Sequence, residues 1–168
     1  MMSEAHDLDV TLFRALHMST RQLTAAVERA LQDTAAVSLP EYEILSALAA
    51  SPDRRARPSE LGEMLAWEKS RTSHQVTRME KRGLLTRLEC DADMRGNWVV
   101  VTDKGAEAVR LAGPTYHAAI LAHLAGFASD EDKGMIARHL IALVRALAPV
   151  ACSGEVNALE TTLAGVHH

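Results

Sequence analysis

Lys69-Ser70-Arg71-Thr72-Ser73-His74-Gln75-Val76-Thr77-Arg78-Met79-Glu80-Lys81-Arg82 runs directly into Gly83-Leu84-Leu85, and Asp91-Ala92-Asp93-Met94-Arg95-Gly96 precedes Trp98-Val99-Val100-Val101. Thr72, Val76 and Met79 recur at helical spacing, with Ser70, His74, Thr77, Arg78 and Lys81 opposite them. Residues 69–82 therefore predict an amphipathic helix with one apolar face and one cationic, hydroxyl-rich face. Gly83 ends it. Leu84–Glu89 and Trp98–Val101 read as strands, because Val and Trp favour a half-buried pleated surface, and Asp91–Gly96 supplies the turn between them. A cationic helix face and a cationic hairpin tip thus lie side by side, a surface that suits duplex DNA.

The flanking chain supplies helices. Upstream, Pro58 at a first helical position opens a short helix carrying Leu61, Met64 and Leu65, and Ala66–Glu68 turns the chain into the 69–82 helix. Glu68 is expected to cap that helix by accepting hydrogen bonds from its free N–H groups, and Trp67 to pack as a core residue beside the cap. Ser38-Leu39-Pro40-Glu41 reads as a capping box launching a helix through Tyr42, Ile44, Leu45 and Leu48 to Ser51-Pro52. Asp53–Arg57 reads as a solvated loop with Arg54, Arg55 and Arg57 on it. Leu12, Phe13, Leu16, Leu23, Val27 and Leu31 mark a long amphipathic helix from Asp9 to about Asp33.

Downstream, Thr102-Asp103-Lys104-Gly105 begins a helix in which Gly113-Pro114 should impose a kink or break before Ile120, Leu121 and Leu124. Ser129-Asp130-Glu131-Asp132 caps a last strong helix with the stripe Ile136, Leu140, Leu143, Val144 and Leu147, ended by Pro149. The tail from Ala151 is weakly specified.

At 168 residues and 48% apolar content, one compact unit is expected. The net charge of −4 conceals a division: residues 54–110 hold 12 Lys and Arg against 9 Asp and Glu, and the remainder holds 6 against 13. A basic middle with acidic flanks is what attraction to phosphate requires. Two cysteines, Cys90 and Cys152, are too few for a disulfide framework and read as small buried apolar residues. With neither a signal-peptide pattern nor a membrane-length apolar run, the expectation is a cytoplasmic protein with no membrane partner. The eight histidines form no His-x-x-x-His pair, and His117 and His123 do not share a helix face, so neither a metal nor another cofactor is expected. The chain shows no nucleophile elbow, phosphate-cradling glycine loop or dinucleotide fingerprint, which speaks against an enzyme.

Helix, turn, helix and hairpin make a winged helix-turn-helix. Leu65-Ala66-Trp67-Glu68-Lys69-Ser70-Arg71-Thr72-Ser73 with Met79-Glu80-Lys81-Arg82-Gly83-Leu84-Leu85 resembles the recognition helix and exit of MarR-type regulators, the multiple-antibiotic-resistance regulator family. Asp93-x-Arg95-Gly96, then Val101-Thr102 and Gly105, is similar to that family's Asp-x-Arg wing and Leu-Thr-x-x-Gly segment, with Val for Leu. The resemblance runs from Phe13 to Leu147; Glu68 departs from it, standing where a Ser is usual. It implies a mainly α protein with a small β-hairpin wing, a single domain over 1–168. Residues 38–110 would form the winged helix-turn-helix DNA-binding lobe, 9–36 and 112–148 the dimerisation helices, and 150–168 a tail.

The expected function is a dimeric, sequence-specific DNA-binding transcription regulator. It would be a repressor released from a pseudo-palindromic operator by a small lipophilic or aromatic ligand. Its partners would be double-stranded DNA, a second copy of the chain and that effector. A helix entering the major groove presents its first turns to base edges, which nominates Ser70, Arg71, Ser73, His74, Thr77 and Arg78, with Lys69 on phosphate. Arg95 and Gly96 at the hairpin tip would reach the neighbouring minor groove, with Asp93 orienting Arg95. The resemblance places a ligand cleft near His17, Met18, Arg21, Tyr42, Tyr116 and His117. The alternative is a winged-helix protein-interaction module without DNA binding, against which the retained Arg71, Arg78 and Arg95 argue.

Overall fold

The structure, a computed structural model, describes residues 4–88, 97–147 and 153–165. The expectations for Asp93, Arg95 and Gly96, for Cys90 and Cys152, and for the stop at Pro149 lie outside the described residues.

Helix α1 spans Glu4–Ala35, beginning earlier than the Asp9 start expected from sequence. Helix α2, Leu39–Ala50, opens on the capping box: the Ser38 hydroxyl accepts from the Glu41 N–H, and the Glu41 carboxylate accepts from the Ser38 N–H at 2.9 Å. These two bonds satisfy donors that every helix start leaves orphaned. Ile44, Leu45 and Leu48 of α2 then anchor a core shared with Leu61, Val76, Met79, Leu84, Leu85 and Val99. Val27, Leu31, Val37, Leu39, Tyr42 and Ala112 form a second cluster where α1 and α2 meet the helix that follows the wing.

The segment expected as a loop carries a strand. After a single 3₁₀ turn over Pro52–Arg54, β1 (Arg55–Ala56) pairs antiparallel with β3 (Trp98–Val101), Arg55 opposite Val100 and Ala56 opposite Val99. β2 (Leu85–Leu88) pairs with the other edge of β3, giving the order β1-β3-β2 rather than a two-stranded hairpin alone. Ala56 is buried in the core and seats the strand there. Pairing also covers an edge of β3 that would otherwise present unmatched backbone groups. Two residues carry too short a pattern to announce a strand.

Helices α3 (Pro58–Met64) and α4 (Lys69–Lys81) complete the helix-turn-helix. Helix α5, Asp103–Leu124, continues through Pro114, so of the kink or break expected there the break does not occur. Its packing overrides the local cost: Ala112 is fully buried, and Tyr116 stacks on Tyr42 with ring centroids 4.5 Å apart. Pro114 and Arg110, whose carbonyl loses its helical donor, are both exposed, so water can serve that carbonyl.

Helix α6, Asp130–Leu147, starts where Ser129 accepts the Asp132 N–H at 3.1 Å. It is not the last helix. α7, Ser153–Gly165, packs on α6, burying Val156 and setting Glu160 2.8 Å from Arg145, so residues 153–165 of the weakly specified tail form a helix on contacts their own pattern does not signal. Among the described residues, no helix is long and apolar enough to cross a membrane.

Candidate nucleic-acid interface

Helix α4 is held by one face and offered by the other. Thr72, Val76 and Met79 have no solvent exposure, whereas Lys69, Ser70, Arg71, Ser73, His74, Arg78 and Lys81 are exposed. Seven of the predicted contact residues are described, and six lie on this open surface. The seventh, Thr77, is half-buried: its hydroxyl donates to the Ser73 carbonyl at 2.9 Å and accepts from Arg87 of β2 at 2.9 Å.

The entry to α4 departs from expectation. Glu68 takes the extended cap conformation, φ −60° and ψ 142°, but its carboxylate makes no capping hydrogen bond. Its carbonyl accepts the Thr72 N–H at 3.0 Å and the Thr72 hydroxyl at 3.2 Å instead. Lys69, Ser70 and Arg71 are exposed, so water can satisfy the first N–H groups without the acid. Trp67 packs against the core as expected, and the Arg71 guanidinium lies 3.9 Å above its ring centroid. That stack presents Arg71 from a rigid platform.

Gly83 closes α4 with φ +72°, the left-handed conformation in which glycine carries no side-chain penalty. Its N–H donates to Glu80 at 2.9 Å and the Leu84 N–H to Met79 at 3.0 Å, the paired bonds of a Schellman stop. The next elements lock onto this exit. The Thr102 hydroxyl donates to the Gly83 carbonyl at 2.7 Å and accepts the Gly105 N–H at 3.1 Å, and Lys104 donates to the Arg82 carbonyl at 2.7 Å.

Three arrangements escaped the sequence reading. Arg82 reaches the buried Glu41; Arg87 joins β2 to α4; and Arg55 and Arg57 lie 4.8 and 5.1 Å from the Trp98 ring centroid, so two arginines of the expected solvated loop rest on the wing strand while Asp53 and Arg54 stay exposed. Only Arg87 left a trace, since it occupies the same strand face as Leu85.

A cleft of about 840 Å³ lies between α1, α2 and α4, its walls including Arg21, Glu28, Pro40, Trp67, Arg71 and Arg78. Of the expected effector residues Arg21 lines it. Tyr42, Tyr116 and His117 gather elsewhere in one aromatic group, while His17 stacks on Phe13 and Met18 is exposed. On the exposed face of α5, the hydrogen bond from Arg110 holds the Glu107 carboxyl below the usual carboxylate range. Among the described residues no three His, Cys, Asp or Glu side chains gather as a metal site.

Residues 37–96 match the MarR family. Over most of its length the chain is similar to AbsC, a MarR family transcriptional regulator from Streptomyces coelicolor, with 32% identity covering 90% of this chain and 95% of that one, at a TM-score of 0.71. The chain belongs to the MarR family. A second regulator of that family from Streptomyces coelicolor, Sco3205, was solved in complex with DNA; it is 28% identical over 88% of this chain and 94% of its own, at a TM-score of 0.78. The organohalide-sensing regulator RdhR-CbdbA1625, solved with 2,4-dichlorophenol, shares the fold at a TM-score of 0.74 with 18% identity, over 87% of this chain and 86% of its own. A comparison with curated proteins gave no match. This MarR-family chain is a DNA-binding transcription regulator and not an enzyme, and α4 stands where a winged helix-turn-helix carries its recognition helix.

Proposed function

We propose that the chain acts in the cytoplasm as a homodimeric repressor that sits on a pseudo-palindromic operator and is released by a small lipophilic or aromatic effector. One observation carries this reading: an exposed cationic helix face coexists with a broad uncovered apolar surface on the terminal helices. Leu12 and Phe13 of α1, Leu121 of α5, and Ile136, Leu140, Leu143 and Val144 of α6 are all exposed in the single chain. Apolar stripes of that extent are what a two-fold partner would bury.

Two recognition helices related by that axis would meet half-sites roughly 34 Å apart, one turn of the duplex. Lys69, Ser70, Arg71, Ser73, His74 and Arg78 would face DNA, with Arg95 and Gly96 following in the minor groove and Asp93 orienting Arg95. The α1–α2–α4 cleft supports effector control, because Arg71 and Arg78 belong to its wall and to the DNA-facing surface at once. A ligand preferring a state with those helices misaligned lowers DNA affinity by its differential affinity for that state. The phenol-bound relative supports an aromatic effector, and Arg21 is the expected effector residue nearest such a site. His17, Met18, Tyr42, Tyr116 and His117 would then act on the α1–α5 side.

Recovery of bound chromosomal fragments by the purified protein, with its mass in solution, tests this. The expected result is a dimer on fragments sharing an inverted repeat, with affinity falling steeply as salt rises. A monomer, or a protein that ignores every fragment at low ionic strength, overturns it. Salt-insensitive capture of a protein with no duplex bound would favour an interaction module instead.

A further inference from the structure

The strand β2 alternates as strands do. Leu85 points into the core, and Arg87, two residues on, leaves the sheet on the same face. There the core has ended and α4 lies beneath. The Arg87 guanidinium bridges to the Glu80 carboxylate and donates to the Thr77 hydroxyl at 2.9 Å, and that hydroxyl donates onward to the Ser73 carbonyl at 2.9 Å. Thr77 and Glu80 are three residues apart, on one side of the helix. The fork of one arginine therefore grips two points on α4, and the grip continues to Ser73 on the exposed surface. Both members of the ion pair are about two-thirds covered, at 29% and 35% side-chain exposure, so water competes with it less than with a surface pair.

We propose that Arg87 is a positioning residue that fixes the angle between the wing and the recognition helix, with Glu80 and Thr77 as its seat. This rests on α4 reading DNA as proposed above. A winged helix must place helix and wing in neighbouring grooves at once, and the two are joined here by short strands and one Gly83 exit. A wing free to swing would lose conformational entropy on binding; a wing already strutted to α4 has lost it on folding. Glu80 also cancels the charge of Arg87, so the pair offers phosphate little net attraction. Thr77 accordingly serves DNA binding through Arg87 and not by touching a base.

Operator affinity of Glu80→Gln, Arg87→Gln, the double variant and Arg87→Lys, each measured across a salt series on fragments the wild type binds, tests the strut. Loss of the grip should weaken binding by about tenfold, the scale of one charge-assisted hydrogen bond. Glu80→Gln should weaken it although it removes a negative charge beside DNA. The double variant should be no worse than either single, Arg87→Lys should not restore affinity, since a point donor cannot grip both seats, and the salt slope should hold. Tighter binding by Glu80→Gln, rescue by Lys, or a slope lower by about 0.9 would make Arg87 a phosphate contact and overturn the proposal. Unchanged affinity in variants that only melt earlier overturns it as well. Thr77→Val, which keeps shape and loses the hydroxyl, tests the same grip should the charged variants misfold. A wild type that binds no duplex sinks the proposed function and this inference together; normal wild-type binding with unaltered variants sinks the strut alone.

Discussion

Arg82 at the C-terminal end of α4 holds the carboxylate of Glu41 on α2: its Nη1 lies 2.6 and 2.5 Å from the two oxygens, and its Nη2 donates to the Ala36 carbonyl at 2.7 Å. The Glu41 side chain is 3% exposed and that of Arg82 46%. Removing Arg82 would strand a buried charge on the Ser38 N–H and its own capping role. We predict that Arg82→Ala lowers stability by about 3 kcal/mol, the low end for a broken buried pair because the guanidinium is half solvated. Urea midpoints at fixed protomer concentration measure it; a loss under about 1 kcal/mol would reclassify the pair as a surface bridge.

Gly105 is a place where no other residue fits. A Cβ there would lie 2.1 Å from the Leu84 carbonyl oxygen, which itself accepts the Thr102 N–H at 3.2 Å. Backbone, not a flexible side chain, is in the way, so α5 must retreat from the wing strand. Gly105→Ala should cost about 3 kcal/mol by overpacking, and it should loosen the Thr102 cap with it. Hydrogen exchange at the Gly105 and Ala106 amides should accelerate; a variant as stable as the parent would contradict the close approach.

What the sequence announced was whatever has a local cause. The capping box at Ser38 and Glu41, the Gly83 stop and the apolar face of α4 each arise from residues within one or two turns, and each stands where the pattern put it. The misses share a different cause. β1 exists because Ala56 finds the core beside Val99, Pro114 stays helical because Tyr116 and Ala112 are packed from the side, and α7 forms on α6. Glu68 looked like a cap because its chemistry suits one, but at a helix start whose first residues are exposed water can take that role. The exposed DNA-facing side chains were readable from helical spacing alone, whereas the supports behind them, Arg82 on Glu41 and Arg87 on Thr77, join residues 41 and 10 positions apart.

Arg78 and Arg71 should divide the labour on DNA. Arg78 is exposed in the last turn of α4, and Arg78→Ala should relax sequence preference at one base pair by about 1–3 kcal/mol if its fork reads guanine. Arg71 works from the Trp67 face, so Trp67→Leu should weaken binding in the same way as Arg71→Ala while preserving the fold. Binding-site selection with each variant separates the cases: uniform weakening by Arg78→Ala would recast it as a phosphate contact. Arg95→Ala should lower affinity on all sequences and reduce the salt slope by about 0.9.

The uncovered face of α6 gives a direct test of assembly. Ile136, Leu140, Leu143 and Val144 follow helical spacing and are 37–44% exposed, while the same helix carries Arg138 among them and Arg145 directly after. In a monomer, Leu143→Glu would replace one exposed apolar side chain by a charge and leave stability within about 0.5 kcal/mol. In a dimer the carboxylate would be buried beside its own symmetry copy, and two unpaired like charges in an apolar contact are strongly unfavourable. Sedimentation equilibrium should therefore show a variant that dissociates at micromolar concentration where the parent does not. Its isolated protomer should keep the winged lobe intact by circular dichroism. Operator binding should fall by far more than the loss of one contact, since a protomer holds only one half-site and gives up the effective concentration that the second provides. A parent protein that sediments as one chain, or a Leu143→Glu variant that dimerises and binds as before, would move the two-fold contact to another face of the molecule.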